Sequence, residues 1–418
     1  LRNCIRFSSF ACDAAPVTGE TTDWKGDWRW WLLFVALMGW VTGFWWCRGR
    51  WEHNLWLQWL VLPAFACNGD RIWELWQRWL ADFSLRWLAL FSLIEWQFWL
   101  TGFRAGDWWG SAGSGKDFAL LVVLISSLVL LAEDERARKQ LWQVVFGIGA
   151  LAVFVSLLLF YQDYTLSEER FRLVWRYAPG FNAVTTGLLA GFALVVGFCG
   201  ATPKVVWQRW LWRVALLVMG FALAASESRG ALLASLGGLM AYFVVNRCGR
   251  DLSRRVAFPA LGFFLYWMGV SFVSEESGAL IERGSAGRFA IYETYLSKLS
   301  GSDWFFGKGV VPMLPEAEMG WLVHHTHCAY LGQLVAYGLP ALLGLVAILG
   351  WGLWKLRNRD ELPLYVFGLI AVLFDGGMIF SVLSLARWEV LVVAVPLVVG
   401  LAARNQGDQA REKRSFSR

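Results

Sequence analysis

Charge is what this chain is short of. Asp, Glu, Lys and Arg make up 17% of its 418 residues, against roughly 25% in an ordinary soluble domain. Cysteine offers no framework either. The seven (Cys4, Cys12, Cys47, Cys67, Cys199, Cys248, Cys328) are scattered, odd in number and never spaced C-x-x-C. That pattern argues against a disulfide scaffold and against a cysteine zinc site. No tandem repeat or low-complexity tract is visible. The first 27 residues are polar and mixed in charge, without a short apolar stretch ending in a small-residue cleavage site. The first hydrophobic run is therefore expected to be an uncleaved anchor. Histidine is scarce, with four in the whole chain, yet three of them are His324, His325 and His327.

What the chain does have is apolar length. Hydrophobic residues reach 57% and the mean hydropathy is +0.46. They gather into runs such as Trp30 to Trp46, Leu120 to Leu131, Leu141 to Phe160 and Phe258 to Val270. Runs of this kind approach the ~20 residues that cross a bilayer as helix. Tryptophan is abundant at 29, and it flanks the runs at Trp30-Trp31, Trp45-Trp46, Trp108-Trp109 and Trp354, where amphipathic rings settle at the headgroups. An all-α integral membrane protein is expected, with about twelve transmembrane helices. The spans read as 28–46, 53–67, 84–103, 117–132, 141–161, 181–199, 209–225, 229–246, 256–273, 328–354, 362–383 and 388–402. The second is short enough to be re-entrant.

The basic residues orient these spans. With the N-terminus in the cytoplasm, the even-numbered loops and both termini hold 25 of the 38 Lys and Arg, and the opposite side holds 13. Excess Lys and Arg marks the cytoplasmic side, so both termini are expected there. Two outer loops are long, 162–180 and 274–327, and long loops within compact proteins usually carry function. The second contains a readable helix, with Ser285 as N-cap and Arg288 to Leu296 following. Phe289, Tyr292, Leu296 and Leu299 recur at helical spacing, as in a helix that lies on a bilayer or caps a cavity.

The polar residues of the outer side carry the chemistry. An imidazole accepts protons near neutral pH, so the His324–His327 cluster reads as a place where a proton moves. Arg229 lies in the very short turn Ser226-Glu227-Ser228-Arg229-Gly230, and Arg288 opens the loop helix. Arg170, Arg172 and Arg176 precede the sixth span. Arginines converging from separate segments would bind phosphate or pyrophosphate through their paired N–H groups, and a helix N-terminus at Arg288 would add to that. The plainer reading of Arg170 and Arg176 is snorkelling to headgroups. His324 and His327 would share a helical face as metal ligands do, but no carboxylate cluster accompanies them beyond Glu316 and Glu318. No metal and no cofactor are expected.

Ser228-Arg229-Gly230-Ala231-Leu232-Leu233-Ala234 resembles the Ser-Arg-Gly segment of the O-antigen ligases and the related O-antigen polymerases. Gly287-Arg288-Phe289-Ala290-Ile291-Tyr292 and Trp304-Phe305-Phe306-Gly307-Lys308-Gly309 are similar to segments of the same superfamily. The ligases also carry a motif of His, then Asn, Ser or Gln, nine residues, Gly, two residues, and Gly, Thr or Tyr. Here its His falls on His327 and its first Gly on Gly338, while Cys328 and Ala341 depart from it. The specific resemblance covers residues 226–341.

The resemblance implies a GT-C-like glycosyltransferase of the bacterial inner membrane. It would move O-antigen from undecaprenyl diphosphate to the lipid A-core oligosaccharide at the periplasmic face, with inversion and without metal. Membrane lipids are the other partner expected, and no nucleic acid is. In that frame 1–27 is a cytoplasmic segment and 28–273 holds spans one to nine. A periplasmic catalytic loop with short amphipathic helices occupies 274–327, 328–402 holds spans ten to twelve, and 403–418 is a basic cytoplasmic tail. His327 would be the base. Arg229 and Arg288 would hold the donor pyrophosphate, Arg172 or Arg176 would assist, and His325 and His324 would face the acceptor. A polymerase acting on a polyprenyl-linked glycan is the nearest alternative. A proton-coupled transporter needs acidic residues at mid-depth, for which Glu95 and Asp375 are the candidates, and it needs an internal repeat. A non-enzymatic scaffold would leave the gathering of His and Arg on one side without a reason.

Overall fold

A computed structural model describes residues 27–47, 49–81, 112–162, 183–200, 203, 205–226, 228–245, 288–309, 314–315, 323, 325–377, 379 and 387–403. Among these the secondary structure is helical throughout, apart from one antiparallel bridge between Leu314 and Val323. The helices are α1 (Trp28–Thr42), α2 (Arg50–Trp56), α3 (Leu62–Cys67) and α4 (Gly69–Ala81). There follow α5 (Ala112–Ala132), α6 (Glu135–Gln162), α7 (Ala183–Cys199), α8 (Val206–Ala225) and α9 (Arg229–Val245). The helices of the 274–327 segment are α10 (Arg288–Ser297) and α11 (Asp303–Phe306), and α12 (Ala329–Leu356) and α13 (Leu362–Phe374) come next. The last, α14, spans 388–403 and includes a π turn at Val390–Ala394.

Ten of the twelve expected spans fall on these helices, and 84–103 and 256–273 lie outside the described residues. Among the described helices, Glu135–Leu159 and Ala329–Leu356 are long and apolar enough to cross a membrane. Five more are apolar but shorter: Phe118–Ala132, Val184–Cys199, Arg229–Val245, Leu362–Phe374 and Val390–Ala403. The second expected span is helical from Arg50 to Cys67 through a π turn at Leu57–Val61. The eleventh is shorter than expected. It stops at Phe374, where Asp375 takes extended backbone and Gly376 a φ of +102°. Nor did the hydrophobic runs announce α4, whose buried Ile72 and Leu75 face inward while Trp73 and Arg78 face out.

The surface is apolar in stripes. On α8, Leu211, Val214, Leu217 and Phe221 are exposed, and on α6 so are Leu151, Phe154 and Leu158. Meanwhile Ser126, Ser127, Ser156, Thr186 and Ser235 are buried. Apolar outside and small polar residues between helices is the distribution that a lipid solvent permits. Close approach depends on small side chains. A Cβ at Gly191 would overlap Ser235, one at Gly230 would lie 2.6 Å from Phe374, and one at Gly238 would lie 3.0 Å from the Pro363 carbonyl. These glycines let α9 pack on α7 and on α13 along its length.

Two polar ends result. At one, Arg138 at the start of α6 pairs with buried Glu361 just ahead of α13, 3.4 Å away. At the other, the C-terminus of α13 meets the N-termini of α9, α12 and α14. The 13 residues of α13 separate the two ends by about 20 Å at ~1.5 Å per residue.

The long loop is anchored by α10 and α11. The buried face of α10 is Ile291 and Tyr295, continued by Leu299, and it packs with Leu314, Val323, Leu334 and Val335. Phe289, expected on that face, is exposed, and Tyr292 and Leu296 are half-buried at its edge. Ser285, the expected N-cap, lies outside the described residues. Within α12 the helix breaks at Gly338 (φ +81°), followed by Pro340. Proline has no N–H for the Ala336 carbonyl, and the break removes the partner of Val335. Two loop amides replace them: Lys308 N–H donates to Val335 O and Gly309 N–H to Ala336 O, both at 2.8 Å. The Trp304–Gly309 segment is thus a plug for the broken helix.

Candidate active site

The chain enters α12 through Thr326-His327-Cys328. Thr326 is fully buried and donates its hydroxyl to Cys328 O at 2.7 Å. Cys328 holds the N-cap position without a side-chain bond. His327 has φ +52° and is the one non-glycine residue with positive φ among the described residues. Such a backbone costs on the order of 1–3 kcal/mol and persists where surroundings impose it. Here the surroundings are visible. Tyr292 Oη, from α10, donates to His327 O at 3.3 Å, and the His327 side chain reaches Asp375 at the end of α13.

His327 Nδ1 lies 3.1 Å from Asp375 Oδ1, and the carboxyl is buried. A carboxylate only accepts, so neutral His327 bonded this way carries its proton on Nδ1 and presents Nε2 as a base. The imidazole remains about one-third exposed, so a substrate can reach it. No carboxylate cluster beyond Glu316 and Glu318 was expected beside the histidines, and the carboxylate the structure brings to His327 is a single one, Asp375. Asp375 comes from 48 positions away in sequence and was legible only as a mid-depth acid for a transporter. It sits instead at a helix end, committed to His327. Glu95, the other transporter candidate, lies outside the described residues.

His325 is a different kind of histidine. Its ring stacks at a tilt on His327, with centroids 4.1 Å apart, and its Nδ1 accepts the His327 backbone N–H at 3.2 Å. That fixes Nε2 as the protonated nitrogen, a donor rather than a base. Burial above all, then His327 and the Arg387 and Arg50 guanidiniums, push its pKa down to about 4 against the pull of Asp375. At neutral pH it is an uncharged N–H donor beside His327.

His325, His327 and Asp375 offer ligand atoms within 4.8 Å of one another, so the three could close on a divalent cation. The contacts they make favour another use. His325 Nδ1 is taken by an amide, His327 Nδ1 by Asp375, and two guanidiniums influence His325. His327 precedes α12 and lies on no face of that helix, so the expected pairing of His324 and His327 on one helical face finds no support. His324, Glu316 and Glu318 lie outside the described residues, as do Arg170, Arg172 and Arg176.

Of the expected arginines, Arg288 opens α10 one turn before Tyr292, on the same helix face. Its charge acts on the Tyr292 phenol, which places it beside the His327 loop. Arg229 is exposed at the start of α9, and its neighbour Gly230 presses on Phe374, the residue before Asp375. Both arginines therefore stand at the same end of the molecule as the dyad.

Sequence reading missed a second layer. Gly377 N–H donates to Glu389 Oε1 at 3.0 Å, and Arg387 Nη2 donates to the same oxygen at 3.4 Å. The Arg387 guanidinium lies against Gly377, where a Cβ would come within 2.5 Å of it. Gly332 of α12 also faces this loop, and a Cβ there would overlap the Gly377 carbonyl. The doublet Gly376-Gly377 after an acid at the end of an apolar run was the available signal.

Neither a family model nor a curated protein matches the chain. One similar solved structure is a chain from a peptidoglycan synthase complex that coordinates polymerization and crosslinking. It is 16% identical with a TM-score of 0.41, and the match covers 76% of this chain and 96% of that one.

Proposed function

We propose that the protein is a membrane glycosyltransferase of the O-antigen ligase type, in which His327 is the general base. The observation that carries this is the hydrogen bond of buried Asp375 to His327 Nδ1, beside arginines delivered by other helices. In the reaction, the acceptor hydroxyl oxygen attacks the anomeric carbon of the donor glycan. Its proton passes to His327 Nε2. The bond from that carbon to the pyrophosphate oxygen breaks, and undecaprenyl diphosphate leaves with the electron pair. Attack opposite the leaving group inverts the carbon. A positioned base contributes about 10²- to 10⁴-fold. Arg288 and Arg229 bind the pyrophosphate and offset its growing charge, a contribution of several kcal/mol in a preorganised site, so no metal is required. The inner membrane, the periplasmic orientation and the lipid A-core acceptor belong to the same proposal.

The test is transfer from a polyprenyl diphosphate-linked glycan to rough lipopolysaccharide by the purified protein, with EDTA present. His327→Ala should lose at least about 10²-fold in kcat while inserting and melting as the wild type does. Arg229→Lys keeps the charge but loses the paired N–H groups, and should fall well below wild type. Full activity of either variant would remove that residue from the mechanism. The departures at Cys328 and Ala341 favour one second reading, the polymerase. In a deletion strain, polymer left on its lipid carrier indicates the ligase, and single-unit caps indicate the polymerase.

A further inference from the structure

Arg387 is nearly enclosed, its side chain 12% exposed, yet its bonding is incomplete. Of its five N–H groups, the described contact uses Nη2 on Glu389, while among the described residues its buried Nε meets no acceptor. Glu389 Oε2 is likewise buried and meets no donor among the described residues. An unmet guanidinium N–H and an unmet carboxylate oxygen are each expensive to bury. Together they describe a ligand that brings an anionic oxygen for the first and a hydroxyl for the second.

A second guanidinium attends the first. Arg50, at the start of α2, feels the charges of Arg387 and Glu389, and His325 feels both arginines. Asp375 is committed to His327, and among the described residues Glu389 is the carboxylate whose charge acts on Arg50. Like charges held close repel unless an anion joins them. The spot adjoins the dyad, because Gly377 touches the Arg387 guanidinium on the side where His325 Cβ also lies, 3.6 Å from a would-be Cβ.

We infer that Arg50, Arg387 and Glu389 form a second subsite of the active centre, which binds a phosphoryl group together with a neighbouring sugar hydroxyl. Arg387 offers the Nε–Nη edge to two phosphoryl oxygens, Arg50 closes over them from α2, and Glu389 Oε2 accepts from the hydroxyl. The assignment rests on the glycosyl-transfer reading for its sugar. It adds an anion site separate from Arg229 and Arg288. A phosphorylated sugar of the acceptor and the donor's own pyrophosphate share this chemistry.

The experiment is calorimetric titration of the full-length protein in nanodiscs with inorganic pyrophosphate. The wild type should bind two equivalents. Arg50→Gln, an exposed position, should lose one of them or weaken it about tenfold. Arg387→Gln combined with Glu389→Gln should do the same, since the pair neutralises both buried charges together and avoids orphaning one. Arg229→Lys with Arg288→Lys should leave this second equivalent in place. One equivalent that vanishes in Arg50→Gln would uphold the subsite while sinking the pyrophosphate role of Arg229 and Arg288. Unchanged pyrophosphate binding in both subsite variants, at wild-type melting temperature, would overturn the inference. With transfer kinetics, a KM raised about tenfold for the acceptor assigns the group to the acceptor. A KM raised for the donor assigns it to the donor, and no change in either also overturns the subsite.

Discussion

At the scale of the residue, two adjacent imidazoles do different work because their Nδ1 atoms have different partners. His327 gives Nδ1–H to Asp375 and keeps Nε2 as acceptor, whereas His325 accepts at Nδ1 and donates at Nε2. Asp375→Asn should therefore do more than remove a charge. The amide can donate as well as accept, which no longer dictates the His327 tautomer. We expect kcat to fall on the order of 10²-fold or more with little change in KM, read from transfer kinetics. His325 yields a prediction in pH. Its folded pKa of about 4 lies below the ordinary 6.5. Between those values the unfolded chain takes up a proton that the folded protein refuses, so stability falls as pH drops from 6.5 toward 4 and is flat above. Melting curves in detergent at pH 7 and pH 5 should show a smaller loss for His325→Gln than for wild type. The histidine cluster was legible in sequence because three of four in one place is conspicuous. Asp375 was not, because a single acid at the end of an apolar run looks the same whether it meets lipid, water or an imidazole from another helix.

At the scale of the element, the site is a junction of helix ends, held by glycines at backbone contact. Gly332 is the decisive one. In an α-helix, Ala is better than Gly by about 0.8–1 kcal/mol, so propensity alone makes Gly332→Ala stabilising. Its Cβ would overlap the Gly377 carbonyl, and neither backbone can yield without moving Asp375 from His327. Packing should win: transfer activity drops as the 3.1 Å hydrogen bond is lengthened, while helix content by circular dichroism holds. The same junction explains what could be read beforehand. Arg288 to Leu296 was legible as a helix because its apolar residues recur at helical spacing. Which of them face inward was not, since Phe289 and Ile291 are equally apolar and the choice is made by Leu314, Val323 and Val335 from elsewhere. The Trp304–Gly309 segment could be noticed as a motif. Its task of supplying amides to the break at Gly338 needed both partners in view.

At the scale of the whole molecule, long apolar runs set the helices, and the breaks between them set where polar chemistry can gather. That logic made the helical class legible from composition, while α4 escaped it because only Ile72 and Leu75 turn inward. The apolar stripe on α8 turns the membrane reading into a measurement. Leu217 lies near the middle of that helix and is 74% exposed. On a water-facing surface, Leu217→Arg would change stability by no more than about 0.5 kcal/mol. Facing hydrocarbon, the same arginine costs roughly 2.5–3.5 kcal/mol at a span centre, enough to lower insertion more than tenfold. Gln77→Arg on the exposed face of α4 serves as the control, and its yield of membrane-extracted protein should match wild type. Leu217→Arg should fall well below it. Equal yields of the two variants would mean that water, not lipid, bathes α8, and the proposed site would lose the bilayer that delivers its substrates.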